Sequence, residues 1–330
     1  MRSTFLPVLV ITLLTVLSQP HTLFGQTLVE GEKSRDEVQE QVDSGHPAAK
    51  SSESETPATP LISTENLIRG FIDDQKVNLA MHQQGLILRD REDSVTATTL
   101  MEQLKSVGKS IDSPPPAVNP SPADSKFEGS FQSTLVVANL YDCGRCDKVH
   151  VATAGGVVLS ADGLVLTNYH VLNSPNETFN FFVMTTDGQM LPVTEVLAAN
   201  EEADVAIVRV EADNLKPVKI ADEMPSPMDS LFVISHPHDR YFSISTGVVS
   251  RHSTRLRRNG QVGNWMEITA RFSQGSSGCG VFNEAGELIG LVSRKETIHS
   301  RSKTGAKEPT ITIFKCVPLN EIRKAIGETE

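Results

Sequence analysis

From about residue 127 to residue 330 the chain alternates short apolar, β-rich runs with turn signals. The runs occupy 133–141, 149–160, 164–172, 179–186, 205–210, 230–236, 247–250, 266–270, 280–283, 288–293 and 310–317. Asp162-Gly163, Asp187-Gly188 and Ala285-Gly286 separate several of them. Asp-Gly between apolar runs is a hairpin signal, because the turn needs a left-handed residue. Many short strands at close spacing predict an all-β sandwich or barrel. About 200 residues suit two small barrels. The final stretch, 319–326, has a helical pattern and predicts a C-terminal helix.

Upstream the pattern is different. In 61–112, Leu67, Ile68, Phe71 and Ile72, then Leu79, then Leu100, Met101, Leu104 and Val107 recur at roughly helical spacing. This predicts one to three amphipathic helices. The region reads as an arm through which copies of the chain could associate. Between it and the β-rich part lies a Pro/Ser-rich linker, 113–126, which opens on Ser113-Pro114-Pro115-Pro116. Residues 26–60 are polar and rich in Ser, Glu, Pro and Ala, too poor in apolar surface to offset chain entropy, and are expected to be disordered. Residues 1–25 read as a secretory signal: Arg2, then an apolar stretch from Phe5 to Leu17, then small residues at Ser18 and Gly25. That stretch is short for a membrane span, and no other run is long enough. An exported, periplasmic or extracellular chain is expected, anchored only if the signal stays uncleaved.

Charge narrows the partners. The formal net charge is -11. No basic excess marks a nucleic-acid binder, and nothing draws the chain to an anionic membrane surface.

The candidate chemistry lies in three places. A serine hydroxyl is a poor nucleophile unless a base lies within hydrogen-bond reach and a third group fixes that base. The attacked carbonyl needs N–H donors aimed at its developing charge. Ser277 sits in Gln274-Gly275-Ser276-Ser277-Gly278-Cys279-Gly280, where flanking glycines let backbone N–H groups turn toward a substrate. His170 ends a strand-like run. Asp204 opens the apolar run 205–210, and a carboxylate at the mouth of a buried strand needs a partner.

Taken together these segments resemble the trypsin-like serine peptidases of the HtrA type. Thr167-Asn168-Tyr169-His170-Val171 is similar to the family's histidine motif. Ala203-Asp204-Val205-Ala206-Ile207 is similar to its aspartate motif, and Gly275-Ser276-Ser277-Gly278 to its serine motif. The hairpin at 153–163 and the segment from Ser235-His236-Pro237 to Ser250 match in register. The resemblance covers about 127–326. It implies a double Greek-key β-barrel with a C-terminal helix, and endopeptidase activity on polypeptides. His170 would be the general base, Asp204 its orienting carboxylate and Ser277 the nucleophile, with the N–H groups of Gly275 and Ser277 as the oxyanion hole. No metal or organic cofactor is implied. The sequence ends after the last helix, so a domain without PDZ is expected.

The chain departs from the family in several places. Cys279 replaces a small residue after the serine and Ser276 replaces Asn or Asp before it. Arg271 and Phe272 occupy the stretch that shapes the specificity pocket. Cys279 could crowd the oxyanion turn or be tied to Cys316, which the family pattern places on a nearby strand. A protease-fold module that binds peptides without cleaving them is therefore the competing reading, and an ester hydrolase a third. The four cysteines, Cys143, Cys146, Cys279 and Cys316, allow two disulfides in three connectivities. Cys143-Gly-Arg-Cys146 falls between two β-rich runs, where a local disulfide, zinc held with His150, or free thiols are all open. His236 and His238 raise a metal reading against that of a polar loop.

Overall fold

The computed structural model describes residues 70–118, 126–174, 177–256, 262–301 and 307–328. The signal sequence, all of 26–60, residues 61–69 of the helical region with Leu67 and Ile68, and part of the Pro/Ser-rich linker fall outside these residues. Every described residue belongs to one compact unit, Glu55–Glu330.

Among the described residues, twelve strands close into two antiparallel barrels of six. The first holds β1 (Thr134–Asp142), β2 (Val149–Val158), β3 (Leu164–Thr167), β4 (Glu177–Met184), β5 (Met190–Asn200) and β6 (Val205–Val210), in the order β1-β2-β3-β6-β5-β4. The second holds β7 (Ser230–Ser235), β8 (Ser243–Leu256), β9 (Val262–Ile268), β10 (Gly280–Asn283), β11 (Leu288–Arg301) and β12 (Lys307–Pro318), in the order β10-β11-β12-β9-β8-β7. The double barrel is the architecture the sequence predicted. Gly163, Gly188 and Gly286 take positive φ at three of the hairpin turns, as their Asp-Gly and Ala-Gly pairs require. A C-terminal helix follows β12 directly. Its Leu319, Ile322, Ala325 and Ile326 are buried.

Helices α1 (Asp74–Arg89), α2 (Ala97–Ser106) and α3 (Lys126–Gln132) precede β1, and the one-turn helix α4 (Tyr169–Leu172) follows β3. The C-terminal helix is α5 (Leu319–Ala325). Asp73 caps α1 by accepting from the Lys76 N–H, and Thr96 caps α2 through the Thr99 N–H.

The helical region is not a separate arm. Ala97, Leu100 and Leu104 of α2 pack with Leu135, Val137, Phe181 and Val183 of barrel one. Val77, Met81 and Leu88 of α1 pack with Leu140 and Phe182, in a cluster that also takes in Phe282 and Leu291 of barrel two and Ile322 of α5. Both faces of the barrel-one strands are thereby covered, which is why β1 is buried along most of its length rather than on alternate residues. The apolar stripe expected in α1 is out of phase with this. The helix starts only at Asp74, so Phe71 lies before it and is fully exposed, and Leu79 points outward. Gly85 lets the helix approach the sheet: a Cβ there would lie 2.7 Å from the Phe182 ring.

Because α2 forms part of the core, Leu104→Ala is expected to cost 2–5 kcal/mol, roughly the range for buried Leu truncation. Urea unfolding measures it. A midpoint unchanged by the substitution would mean that the helices do not support the barrel.

Candidate active site

The strand run expected to end at His170 stops earlier. β3 ends at Thr167, Asn168 is the N-cap, and His170 lies on α4. Buried Tyr169 and Leu172 anchor that turn in barrel one, leaving the His170 side chain about half exposed. Asp204 precedes β6 with φ of 60°, a conformation that few non-glycine residues adopt. The Asn168 side chain donates to its carbonyl at 2.8 Å, joining the His170 turn to the Asp204 turn.

The Asp204 carboxylate is buried, and three donors converge on it. His170 Nδ1 lies 2.9 Å from both Oδ1 and Oδ2. The His170 backbone N–H donates to Oδ1 at 3.2 Å, and the Ser293 hydroxyl donates to Oδ2. Burial pushes the carboxyl pKa up, but the His170 and Ser293 contacts outweigh it and hold the value below the ordinary range. Asp204 is therefore ionised at neutral pH. The carboxylate also keeps the Nδ1–H tautomer of His170, which leaves Nε2 as the acceptor.

Ser277 comes from barrel two. Its turn is held by Ser276 N–H to Ser273 O (3.0 Å), Cys279 N–H to Ser276 O (3.1 Å) and Gly278 N–H to Val292 O (2.9 Å). Gly155 of β2 donates its N–H to Ser277 O at 2.7 Å across the seam between barrels. Gly275 has φ of 91°, and a Cβ there would lie 2.4 Å from the His236 carbonyl. Among the described residues, neither the Gly275 nor the Ser277 N–H has an acceptor. The Ser277 hydroxyl donates to the Ser293 carbonyl at 3.2 Å. Ser293 thus touches both ends of the constellation: its hydroxyl binds Asp204 and its carbonyl binds Ser277.

Residues 154–291 match the trypsin-like peptidase domain family. Relatives include the probable periplasmic serine endoprotease DegP-like of Halomonas elongata, 30% identical over 140 residues that make up 42% of this chain and 28% of that one. The serine endoprotease DegS of Haemophilus influenzae is 28% identical over 172 residues, 50% of this chain and 46% of that one. Over residues 154–291 the chain is similar to trypsin-like peptidase domains. It spans less than half the length of these two relatives. Among solved structures, a serine endoprotease from Yersinia pestis aligns with a TM-score of 0.45 and 21% identity, over 63% of this chain and 66% of that one.

Several features of this site carry no signal in the sequence. Ser293 is one: a serine at the end of an apolar run carries no signal of its own. The polar side chains around Ser273, beside the Ser277 turn, are another. Lys295 Nζ donates to Ser273 Oγ at 3.1 Å, and His238 Nε2 lies 3.0 Å from the same oxygen. The Arg294 guanidinium stacks over Trp265 at 4.5 Å. Arg271 is exposed, whereas Phe272 is buried against Phe314.

The cysteines do not form the disulfides that their number allowed. All four are thiols. Cys279 and Cys316 are both buried, on chain segments that flank β11 from opposite sides: Val292 N–H donates to Cys279 O, and Val292 pairs with Cys316. Nor does Cys279 crowd the Ser277 turn. Its Sγ fills the space left by the missing side chain of Gly155, where a Cβ would lie 2.1 Å from the sulfur. Cys279→Ala is expected to keep substrate turnover within about threefold of the parent, whereas Gly155→Ala forces the seam apart and abolishes it; hydrolysis assays on both variants check this.

His236 and His238 do not converge on a metal. His236 is fully buried: its Nδ1 accepts from the Phe242 N–H at 3.1 Å, so Nε2 carries the proton and donates to Leu135 O at 3.1 Å. Burial pulls its pKa from 6.5 down to about 4. Between these values the unfolded chain binds a proton that the folded chain refuses. Stability from this group is therefore full above pH 6.5 and is lost as pH falls toward 4, by about 3 kcal/mol in all. The urea midpoint of His236→Gln should fall less than that of the parent between pH 7 and pH 4.5; parallel curves would remove His236 as the cause.

Proposed function

We propose that the chain is an exported serine endopeptidase whose nucleophile is Ser277, with His170 as general base and Asp204 as the carboxylate that holds it. The observation that carries this reading is the chain of contacts from His170 through Asp204 and Ser293 to Ser277, assembled from both barrels. On substrate binding the Ser277 hydroxyl leaves the Ser293 carbonyl for His170 Nε2, gives up its proton there and attacks the peptide carbonyl. The unpaired N–H groups of Gly275 and Ser277 receive the developing oxyanion. His170 then protonates the departing amine, and water, activated by the same imidazole, hydrolyses the acyl-enzyme. Ser293 is a positioning residue, because it acts on the reaction through Asp204 and Ser277.

Export rests on the apolar N-terminal stretch and on relatives whose names describe periplasmic endoproteases. Polypeptides outside the cytoplasm, including those handled in protein quality control, are the substrates this implies. The acidic balance of the chain favours no nucleic-acid partner.

A fluorophosphonate probe tests the reading. Labelling of the parent, loss of label and of casein cleavage in Ser277→Ala, and a fall of several orders of magnitude in kcat for Asp204→Asn are expected. A parent that neither labels nor cleaves would leave only a peptide-binding module. Ser293→Ala should lower kcat with little change in KM; an unaltered kcat would assign Ser293 to structure alone.

A further inference from the structure

The hairpin joining β1 to β2 ends in a cluster that the peptidase chemistry does not use. Cys143 Sγ and Cys146 Sγ are 3.5 Å apart, and Cys146 Sγ is 3.1 Å from His150 Nε2. All three donor atoms lie within 4.8 Å of one another. We infer that Cys143, Cys146 and His150 form a binding site for a thiophilic divalent metal ion of the zinc class.

The two closest separations lie a few tenths of an ångström short of the spacing this chemistry sets, so an ion would seat with a small opening of the cluster. Tetrahedral zinc with S and N ligands sets S···S at about 3.8 Å and S···N at about 3.5 Å, given bonds of about 2.3 and 2.0–2.1 Å. The His150 imidazole adds a third donor that a disulfide between the two cysteines would leave unused. The hairpin is also shaped for the purpose. The Asp142 carboxylate accepts the Gly144 N–H at 2.7 Å, and Gly144 takes φ of 65°, which folds the chain back after Cys143. His150 is set by the strand register, which pairs it with Tyr141, and its ring packs against that ring at 5.4 Å. Two thiolates and an imidazole select zinc-class ions over magnesium or calcium. Three protein ligands leave the fourth position to water or to an external donor.

The site has a mechanical connection to the Ser277 turn. β2 runs from His150 to Gly155, whose N–H holds the Ser277 carbonyl. An ion at the hairpin tip would stiffen this strand without taking part in hydrolysis.

Cobalt titration tests the assignment on the full chain, reduced and stripped with a chelator. One Co2+ per chain is expected, with a thiolate-to-metal charge-transfer band and the strong visible bands of a four-coordinate ion. Zn2+ should displace it one for one. Cys143→Ser and Cys146→Ser should each diminish the charge-transfer band, and His150→Ala should weaken binding at least tenfold, while Cys316→Ala leaves the spectrum unchanged. Unfolding curves without metal check that each variant folds. A folded His150→Ala that binds as tightly as the parent overturns the ligand set. Absence of the charge-transfer band in the parent, or formation of a Cys143–Cys146 disulfide in air with zinc present, overturns the site itself.

Discussion

The buried carboxylate of Asp204 is the constraint around which the two barrels are arranged. An ion withdrawn from water costs several kcal/mol unless donors replace its hydration. Barrel one supplies the His170 ring and the His170 N–H, and barrel two supplies the Ser293 hydroxyl. Neither barrel satisfies the charge alone. The strained turn at Asp204 and the short α4 helix follow from the same need, because both aim their groups at one point.

The second seam contact has no charge in it. Gly155 and Cys279 fit because one lacks the side chain that the other provides. Close packing of this kind tolerates little change, since an added methyl finds no free volume. The Gly155 N–H and the Ser277 carbonyl are thereby brought to 2.7 Å, so a packing contact fixes where the Ser277 turn sits. His236 supports the turn from the other side, with its carbonyl against Gly275 and its ring neutral in the core.

Much of this was legible in the sequence where a local rule applies. The strands bounded by Asp-Gly turns and the motifs around His170, Asp204 and Ser277 each carry a signal of their own. What escaped notice depends on tertiary context. β5 carries no such signal, because register shifts near Val193 and Val196 break its period-two pattern. β11 and β12 run on as a long two-stranded ribbon whose polar residues lack the apolar signature of a core strand. The helical segment reads as helical, but its packing partner does not, because the side chains it meets, Leu140 and Phe182, are distant in sequence. Ser293 gained its role from a neighbour 89 residues away.

The docking of α1 and α2 changes what counts as the smallest piece of this protein able to fold. A fragment beginning at the first strand would keep every residue of the proposed triad and all twelve strands, yet would leave the flanks of β4 and β5 bare. It would also lose the bonds from Asn78 to the Tyr241 hydroxyl and from the Tyr241 N–H to Asp74, which tie the helix to the loop behind the Ser277 turn. The boundary of the folding unit therefore lies well upstream of the boundary of its chemistry, and homology to the peptidase core alone would cut the chain in the wrong place.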